Sequence, residues 1–188
     1  MTAPAKTDGP AEDDGGRAKA AADEQRSGAG KSTPLRLEEF LPYRLNVVAS
    51  LTSHALSRIY SERYGISVPE WRVLVTLGQY GTMTGKTVGN HSHMHKTKVS
   101  RAVALLEKRK FVVRRVNRAD LREAFLSLSA SGRAIYEELA PIALEFARRL
   151  TQAIDPADQD AFDRAIERLT TSAAALAAEA GQDRDEDG

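Results

Sequence analysis

The chain has 188 residues, 41% of them hydrophobic, with 27 lysines and arginines against 26 acids and no cysteine. That length holds one domain of ordinary size plus tails, and the missing thiols exclude disulfides, thiolate metal sites, cysteine nucleophiles and thiol redox sensing. No apolar run approaches the ~20 residues of a membrane span and the N-terminus lacks the apolar core of a secretory signal, so the cytoplasm is the expected location.

Residues 1–33 mix five cations and six acids in an Ala/Gly/Asp-rich setting without aromatics. Too little apolar surface is available to fold such a segment, and a disordered tail is expected. From Leu37 to Tyr60, apolar or small residues at 37, 41, 45, 48, 52, 55, 56 and 59 trace a helical stripe, and Pro42 is tolerated if it lies in the first turn. In "PEWRVLVTLGQYG", Pro69 suits a helix start, Trp71, Leu74, Val75 and Gly78 keep helical spacing, and Gly81 ends the run. A short apolar run such as Val73 to Leu77 also fits a buried strand, and helix is the preferred reading.

The stretch from Gly81 to Arg101, "GTMTGKTVGNHSHMHKTKVSR", offers three chemistries. A phosphate loop needs G-x-x-x-x-G-K-S/T, so that consecutive backbone N–H groups wrap the phosphates. Counting back from Gly85-Lys86-Thr87, the first glycine belongs at position 80, which is Tyr80, and Gly81 leaves the loop one residue short. A nucleotide-binding enzyme is therefore a remote alternative, and a polar turn opening a short helix is preferred. His91 and His95 at i, i+4 would share a helical face and could chelate zinc, although a stable site wants further ligands. The only other histidines are His93 and the distant His54. The third reading is a DNA-binding helix. In "HKTKVSRAVALLEKRK", Val99, Val103 and Leu106 form an apolar seam with Ala102 and Leu105 beside it, while Lys96, Thr97, Ser100, Arg101 and Lys108 lie opposite. Cations and short hydroxyls on one face suit phosphates and base edges.

The charge distribution favours the third reading. Lys86 to Arg122 holds eleven basic side chains and two acids, Glu107 and Asp120, in 37 residues. "FVVRRVNRADLREAFLSLSASG" reads as a strand, a six-residue loop from Asn117 to Arg122, and a strand from Glu123 to Leu128. Helix, turn, basic helix and antiparallel ribbon together make a winged helix-turn-helix. Arg118 and Arg122 in the loop suit a minor groove, and Asp120 can orient Arg122 through a charge-assisted hydrogen bond. An ordinary solvated hairpin loop is the alternative.

Over about Leu37 to Leu176 the sequence resembles the MarR family of bacterial transcriptional regulators. The resemblance is carried by "PEWRVLVTL", "MHKTKVSRAVALLEKRKFVVRR" and "NRADLREAFLSLSASG" in that order, most specifically by Lys96 to Gly132, where recognition helix, D-x-R wing and the S/T-x-x-G start of the next helix occur together. It implies a mainly α fold with a small antiparallel β-wing, in which a winged helix-turn-helix is flanked by long N- and C-terminal dimerisation helices. The implied protein is a homodimer that binds a pseudo-palindromic double-stranded operator, as a repressor released by a small anionic aromatic acid or its CoA thioester. The expected DNA contacts are Lys86, His95, Lys96, Thr97, Lys98, Ser100, Arg101, Arg118, Asp120 and Arg122. The histidines of "NHSHMH" depart from the family's pattern, so a zinc-responsive regulator using His91 and His95 stays open as the alternative. Neither a cofactor nor a membrane partner is expected. No paired carboxylates or nucleophile–base pair points to an enzyme.

The last third of the chain suits dimerisation. After Ser129, an N-cap, Ile135, Leu139, Ile142, Ala143, Phe146 and Leu150 keep helical spacing across Pro141. A further helix is expected from Asp155-Pro156, burying Phe162, Ala165, Ile166, Leu169 and Ala173. A partner subunit would cover what the small DNA-binding module cannot, a monomeric helical core being the alternative. The winged-helix domain is placed at 34–178, with a DNA-binding lobe at about 67–130 and dimerisation helices at about 37–63 and 130–178. The acidic residues 179–188 are expected as a second disordered tail. If the family arrangement holds, an effector pocket lies between the first long helix, the Trp71 helix and the DNA-binding lobe. Arg44 would pair with a carboxylate there, His54 would hydrogen-bond and Trp71 would line an aromatic slot. Each has a plain alternative as a surface cation, an interfacial histidine and a core residue.

Overall fold

The structure, a computed structural model, describes residues 34–116 and 123–186, with side chains as far as Glu179. The expectations for 1–33 and for Arg118, Asp120 and Arg122 lie outside the described residues. The chain divides into two units at Asn46/Val47. Within the first, residues 37–39 form a turn with an exposed Arg36–Glu39 ion pair at 3.0 Å, followed by the start of the first helix.

Helix α1 runs from Leu41–Tyr64, so it begins and ends four residues later than the periodicity predicts. Pro42 is its second residue, where its missing N–H costs no ladder bond. Gly65, with φ +59°, takes the left-handed conformation that ends it. Helix α2, Val68–Tyr80, settles the helix-or-strand ambiguity. Its start is fixed by Glu70 Oε2, which accepts from Ser67 N–H at 2.9 Å and from Ser67 Oγ–H at 2.5 Å. Trp71, Val73, Leu74 and Leu77 are buried along it.

A two-residue strand that the sequence did not suggest, β1 at Met83–Thr84, leads into helix α3, Gly85–Ser92. Helix α4 spans Lys96–Lys108, β2 Val112–Val116 and β3 Ala124–Leu128. The sheet is antiparallel in the order β1-β3-β2, with Arg114 opposite Leu126 and Met83 opposite the same leucine on the other side. Helix α5, Ala130–Thr151, contains Pro141, and α6 runs from Gln159–Glu186. Asp155-Pro156 forms the turn before α6 rather than its first residues. The helix continues to Glu186, into the segment expected as a tail.

One core within the second unit joins the end of α1, α2–α5 and the sheet. Tyr60, Ile66, Trp71, Leu74, Leu77, Val88, Val99, Val103, Leu106, Val112, Leu126, Ile135 and Leu139 belong to it, and α2 packs against α3, α4 and α5. One sequence expectation fails at its edge. Leu105, expected beside the α4 seam, is 50% exposed because its angular position falls outside the buried face of Val99, Ala102, Val103 and Leu106. In the single chain the apolar stripe of α6, for which the sequence reading invoked a partner subunit, is exposed, Phe162 at 45%, Ile166 at 39% and Leu169 at 37%.

The Ser129-x-x-Gly132 pattern has a packing cause. Ser129 Oγ accepts from Gly132 N–H at 3.0 Å, capping α5. Ser129 N–H donates to Phe111 O at 3.0 Å, and the hydroxyls of Ser129 and Ser131 donate to Lys110 O at 2.6 and 2.9 Å. These bonds hold Lys110 in the left-handed region, φ +62°. A Cβ on Gly132 would sit 1.9 Å from Phe111 O, so only glycine lets α5 start this close to the turn between α4 and β2.

Candidate nucleic-acid interface

The two helices of the motif are set by their caps. Thr84 Oγ1 accepts from Thr87 N–H at 3.3 Å at the start of α3. The helix ends at His93, whose left-handed backbone (φ +51°) turns the chain, while buried Met94 bonds back to Gly89 O at 3.1 Å. His95 then caps α4, its Nδ1 accepting from Thr97 N–H at 3.4 Å and its carbonyl accepting from Lys98 and Val99 N–H.

The apolar seam of α4 determines what the other side presents. With Val99, Ala102, Val103 and Leu106 buried, Lys96, Thr97, Lys98, Ser100 and Arg101 are all exposed. Lysine and short hydroxyls reach phosphates, and an arginine fork matches a guanine edge. A cleft of about 940 Å³ opens between α3, α4 and the β2–β3 ribbon. Lys86, His95, Lys96 and Ser100 line it together, while Thr97, Lys98 and Arg101 lie on the exposed surface outside it. Arg114, His93 and Asn90 also line it and were not among the DNA contacts expected from the sequence. For Arg114 the available signal was the alternation in "VVRRV", which sends neighbouring arginines to opposite faces.

The chelation geometry for His91 and His95 is absent. Because the helix breaks at His93, the two lie on different elements and share no i, i+4 face. The His91 ring stacks on Tyr80, with centroids 4.2 Å apart and planes at 24°. No group of three His, Asp or Glu side chains among the described residues could hold a metal ion. The incomplete phosphate loop is the N-terminus of α3, with Gly85 its first residue and Lys86 exposed.

The effector candidates fall in different settings. Arg44 is exposed in the N-terminal unit. His54 is an exposed α1 residue whose carbonyl accepts from Ser57 Oγ at 2.8 Å. Trp71 is in the core, 6% exposed, its ring stacked on Tyr60 at 5.2 Å. None of the three lines the cleft beside α4.

Two polar junctions, which had no sequence signature, join this lobe to α1 and α5. Arg109, the cap residue after α4, donates to Gly65 O at 3.0 Å and to Tyr64 O, lies 3.6 Å from the buried Glu70 carboxylate, and sits 4.8 Å over the Phe111 ring. Across from it, Tyr64 Oη donates to Glu138, which also pairs with Arg63. That hydrogen bond holds the Tyr64 phenol above its ordinary pKa of 10.0.

Comparison with known proteins agrees with this geometry. The family model described as MarR family matches residues 64–123, from the end of α1 to the residue before β3. An uncharacterized HTH-type transcriptional regulator of Bacillus subtilis (strain 168), YwoH, is 30% identical over 101 residues, 54% of this chain and 73% of that protein. A MarR family transcriptional regulator from Silicibacter pomeroyi DSS-3 superposes with a TM-score of 0.61 at 29% identity, over 76% of this chain and 99% of the other. Bordetella bronchiseptica BpsR, solved in a study of its regulation by 6-hydroxynicotinic acid, shares the fold with a TM-score of 0.66 at 19% identity, covering 73% of this chain and 98% of its own.

Proposed function

The chain belongs to the MarR family of transcriptional regulators, and from that premise we propose that it is a homodimeric repressor that grips a pseudo-palindromic operator through α4 and the wing and lets go when a small aromatic acid or its CoA thioester binds. The observation that carries the DNA half of this reading is the division of α4 into a buried seam and a wholly exposed row of Lys96, Thr97, Lys98, Ser100 and Arg101. In this reading Lys86 and His95 contact the backbone beside that row. Arg118 and Arg122 serve the minor groove, with Asp120 orienting Arg122.

Dimerisation is supported by apolar surface that a lone chain exposes. On α6, Phe162, Ile166, Leu169 and Leu176 recur at helical spacing and are 37–62% exposed. On α5, Leu144 and Leu150 are 71% and 47% exposed. A second copy of the chain is the partner this stripe suits. No helix among the described residues is long and apolar enough to cross a membrane. As part of the DNA-binding reading, the proposed location is the cytoplasm, with the nucleoid.

The effector half rests on the family and on BpsR, whose DNA binding is regulated by 6-hydroxynicotinic acid. Within the second unit, His54 is the candidate polar contact and Trp71 the candidate aromatic wall. The test is a DNA shift assay on the divergent upstream region, repeated with aromatic acids, their CoA thioesters and zinc. Lys98→Ala with Arg101→Ala should weaken binding by at least tenfold, on the order of the loss of one good base contact, and flatten its salt dependence. Unchanged affinity of the double variant at fixed salt would remove α4 from the interface.

A further inference from the structure

Helix α4 carries a single acid, Glu107, in a sequence that is otherwise cationic or neutral. A carboxylate on a surface meant for phosphates opposes binding unless something else depends on it. Its partner is Arg114, the third residue of β2. Arg114 Nε donates to Glu107 Oε1 at 2.9 Å and Nη2 donates to Oε2 at 3.0 Å. Two parallel bonds between a planar guanidinium and a planar carboxylate restrain direction as well as distance, which a lysine at the same place could not do.

The strand register makes this pair a strut. Arg114 pairs with Leu126 of β3, which is 2% exposed, while neighbouring Arg115 pairs with the half-exposed Phe125. Pleating sends the two arginines to opposite faces of the ribbon. Arg114 faces α4 and lines the cleft with its side chain 49% exposed, and Arg115 is exposed on the other face. Glu107 is therefore paired with the cation that, among the described ribbon residues, faces the recognition helix, and its side chain is only 28% exposed.

We propose that Glu107 and Arg114 are positioning residues for operator recognition, their fork setting the angle between α4 and the β2–β3 ribbon so that helix and wing meet DNA as one rigid piece. The proposal rests on the reading of α4 and the wing as the DNA interface. Its sign opposes simple electrostatics. Removing the Glu107 charge adds positive charge to the surface and frees Arg114 for phosphate, so charge alone predicts tighter binding. Loss of the strut predicts weaker and less selective binding.

The experiment is a double-mutant cycle in the full-length dimer, with Glu107→Met, Arg114→Met and the double variant. Binding is read by fluorescence anisotropy on the upstream duplex that the wild type protects in footprinting and on a scrambled duplex of equal length. Glu107→Met should lower the ratio of operator to scrambled affinity by about tenfold, while affinity for the scrambled duplex holds or rises. Adding Arg114→Met should lower that ratio no further, because one strut can be lost only once. An unchanged or raised ratio for Glu107→Met, or additive losses in the double variant, would overturn the proposal. Should Glu107→Met fail to fold, Arg114→Lys keeps the charge and removes the fork, and wild-type selectivity in that variant would overturn it equally. Lys98→Ala separates the two levels. If it loses operator affinity while Glu107→Met does not, the positioning role alone fails; if neither does, the interface reading fails with it.

Discussion

Replacing Gly132 by alanine sets a methyl carbon 1.9 Å from the carbonyl oxygen of Phe111 and 2.8 Å from its carbonyl carbon. Carbon and oxygen approach comfortably no closer than about 3.3 Å, so the start of α5 must retreat from the α4–β2 turn by on the order of 1 Å. Both groups are backbone, and no side-chain rotation relieves the contact. Overpacking of this kind costs about 1–3 kcal/mol. The retreat also stretches the bonds from Ser129 N–H to Phe111 O and from the Ser129 and Ser131 hydroxyls to Lys110 O, each worth about 0.5–1.5 kcal/mol. Alanine returns about 1 kcal/mol of helix propensity. The net expectation is a loss of about 3 kcal/mol, a fall in Tm of roughly 6–12 °C for a chain of this size. Thermal unfolding followed by circular dichroism, at one protein concentration because the proposed dimerisation would couple to folding, measures it. Ser129→Ala, which removes hydroxyl bonds without adding a methyl, should lose less. A Tm for Gly132→Ala within about 2 °C of wild type would show that α5 does not approach the turn this closely.

The remaining expectations concern assembly, the histidines and pH. Ile166→Asp with Leu169→Asp should yield a monomer in light scattering, since charges in an apolar interface are left unpaired; deletion of residues 1–33 should leave a dimer, and a monomeric mass for that truncation would contradict the helical interface. The wild-type dimer should protect half-sites about one turn, ~10 base pairs, apart. His91→Gln with His95→Gln should change operator affinity only moderately, and exhaustive chelation should leave the wild type active; loss restored by stoichiometric zinc would make the protein metal-responsive after all. Tyr64 has its pKa raised chiefly by the hydrogen bond it donates to Glu138. The stability it contributes is therefore present below pH 10 and lost as pH rises through the raised value. Denaturant midpoints between pH 8 and 11 should fall more steeply for wild type than for Tyr64→Phe, and parallel profiles would count against the Tyr64–Glu138 bond.

What the sequence determined by itself was whatever a single helix or strand period carries. Val99, Val103 and Leu106 return every turn, so the buried side of α4 and its exposed cations were readable before any neighbour was known. The ribbon was readable for the same reason, with Leu126 buried and Phe125 partly exposed as alternation requires. Period reasoning failed where the backbone changed state. One left-handed residue, His93, separates His91 from His95 and dissolves the apparent i, i+4 pair. Ser129-x-x-Gly132 stood out as a pattern, yet its cause is the carbonyl of Phe111, which only the packed turn brings close. Arg109 with Glu70, and Tyr64 with Glu138, join residues 39 and 74 positions apart. No local periodicity encodes such pairs, because their separation is decided by how α1, α2, α4 and α5 pack. The Glu107–Arg114 fork spans a helix end, a turn and a strand, and its directions depend on where β2 leaves α4. Helical spacing likewise revealed the stripe on α6, while its exposure in the single chain is a tertiary fact: an apolar period states that a face wants burial and leaves open which surface will cover it.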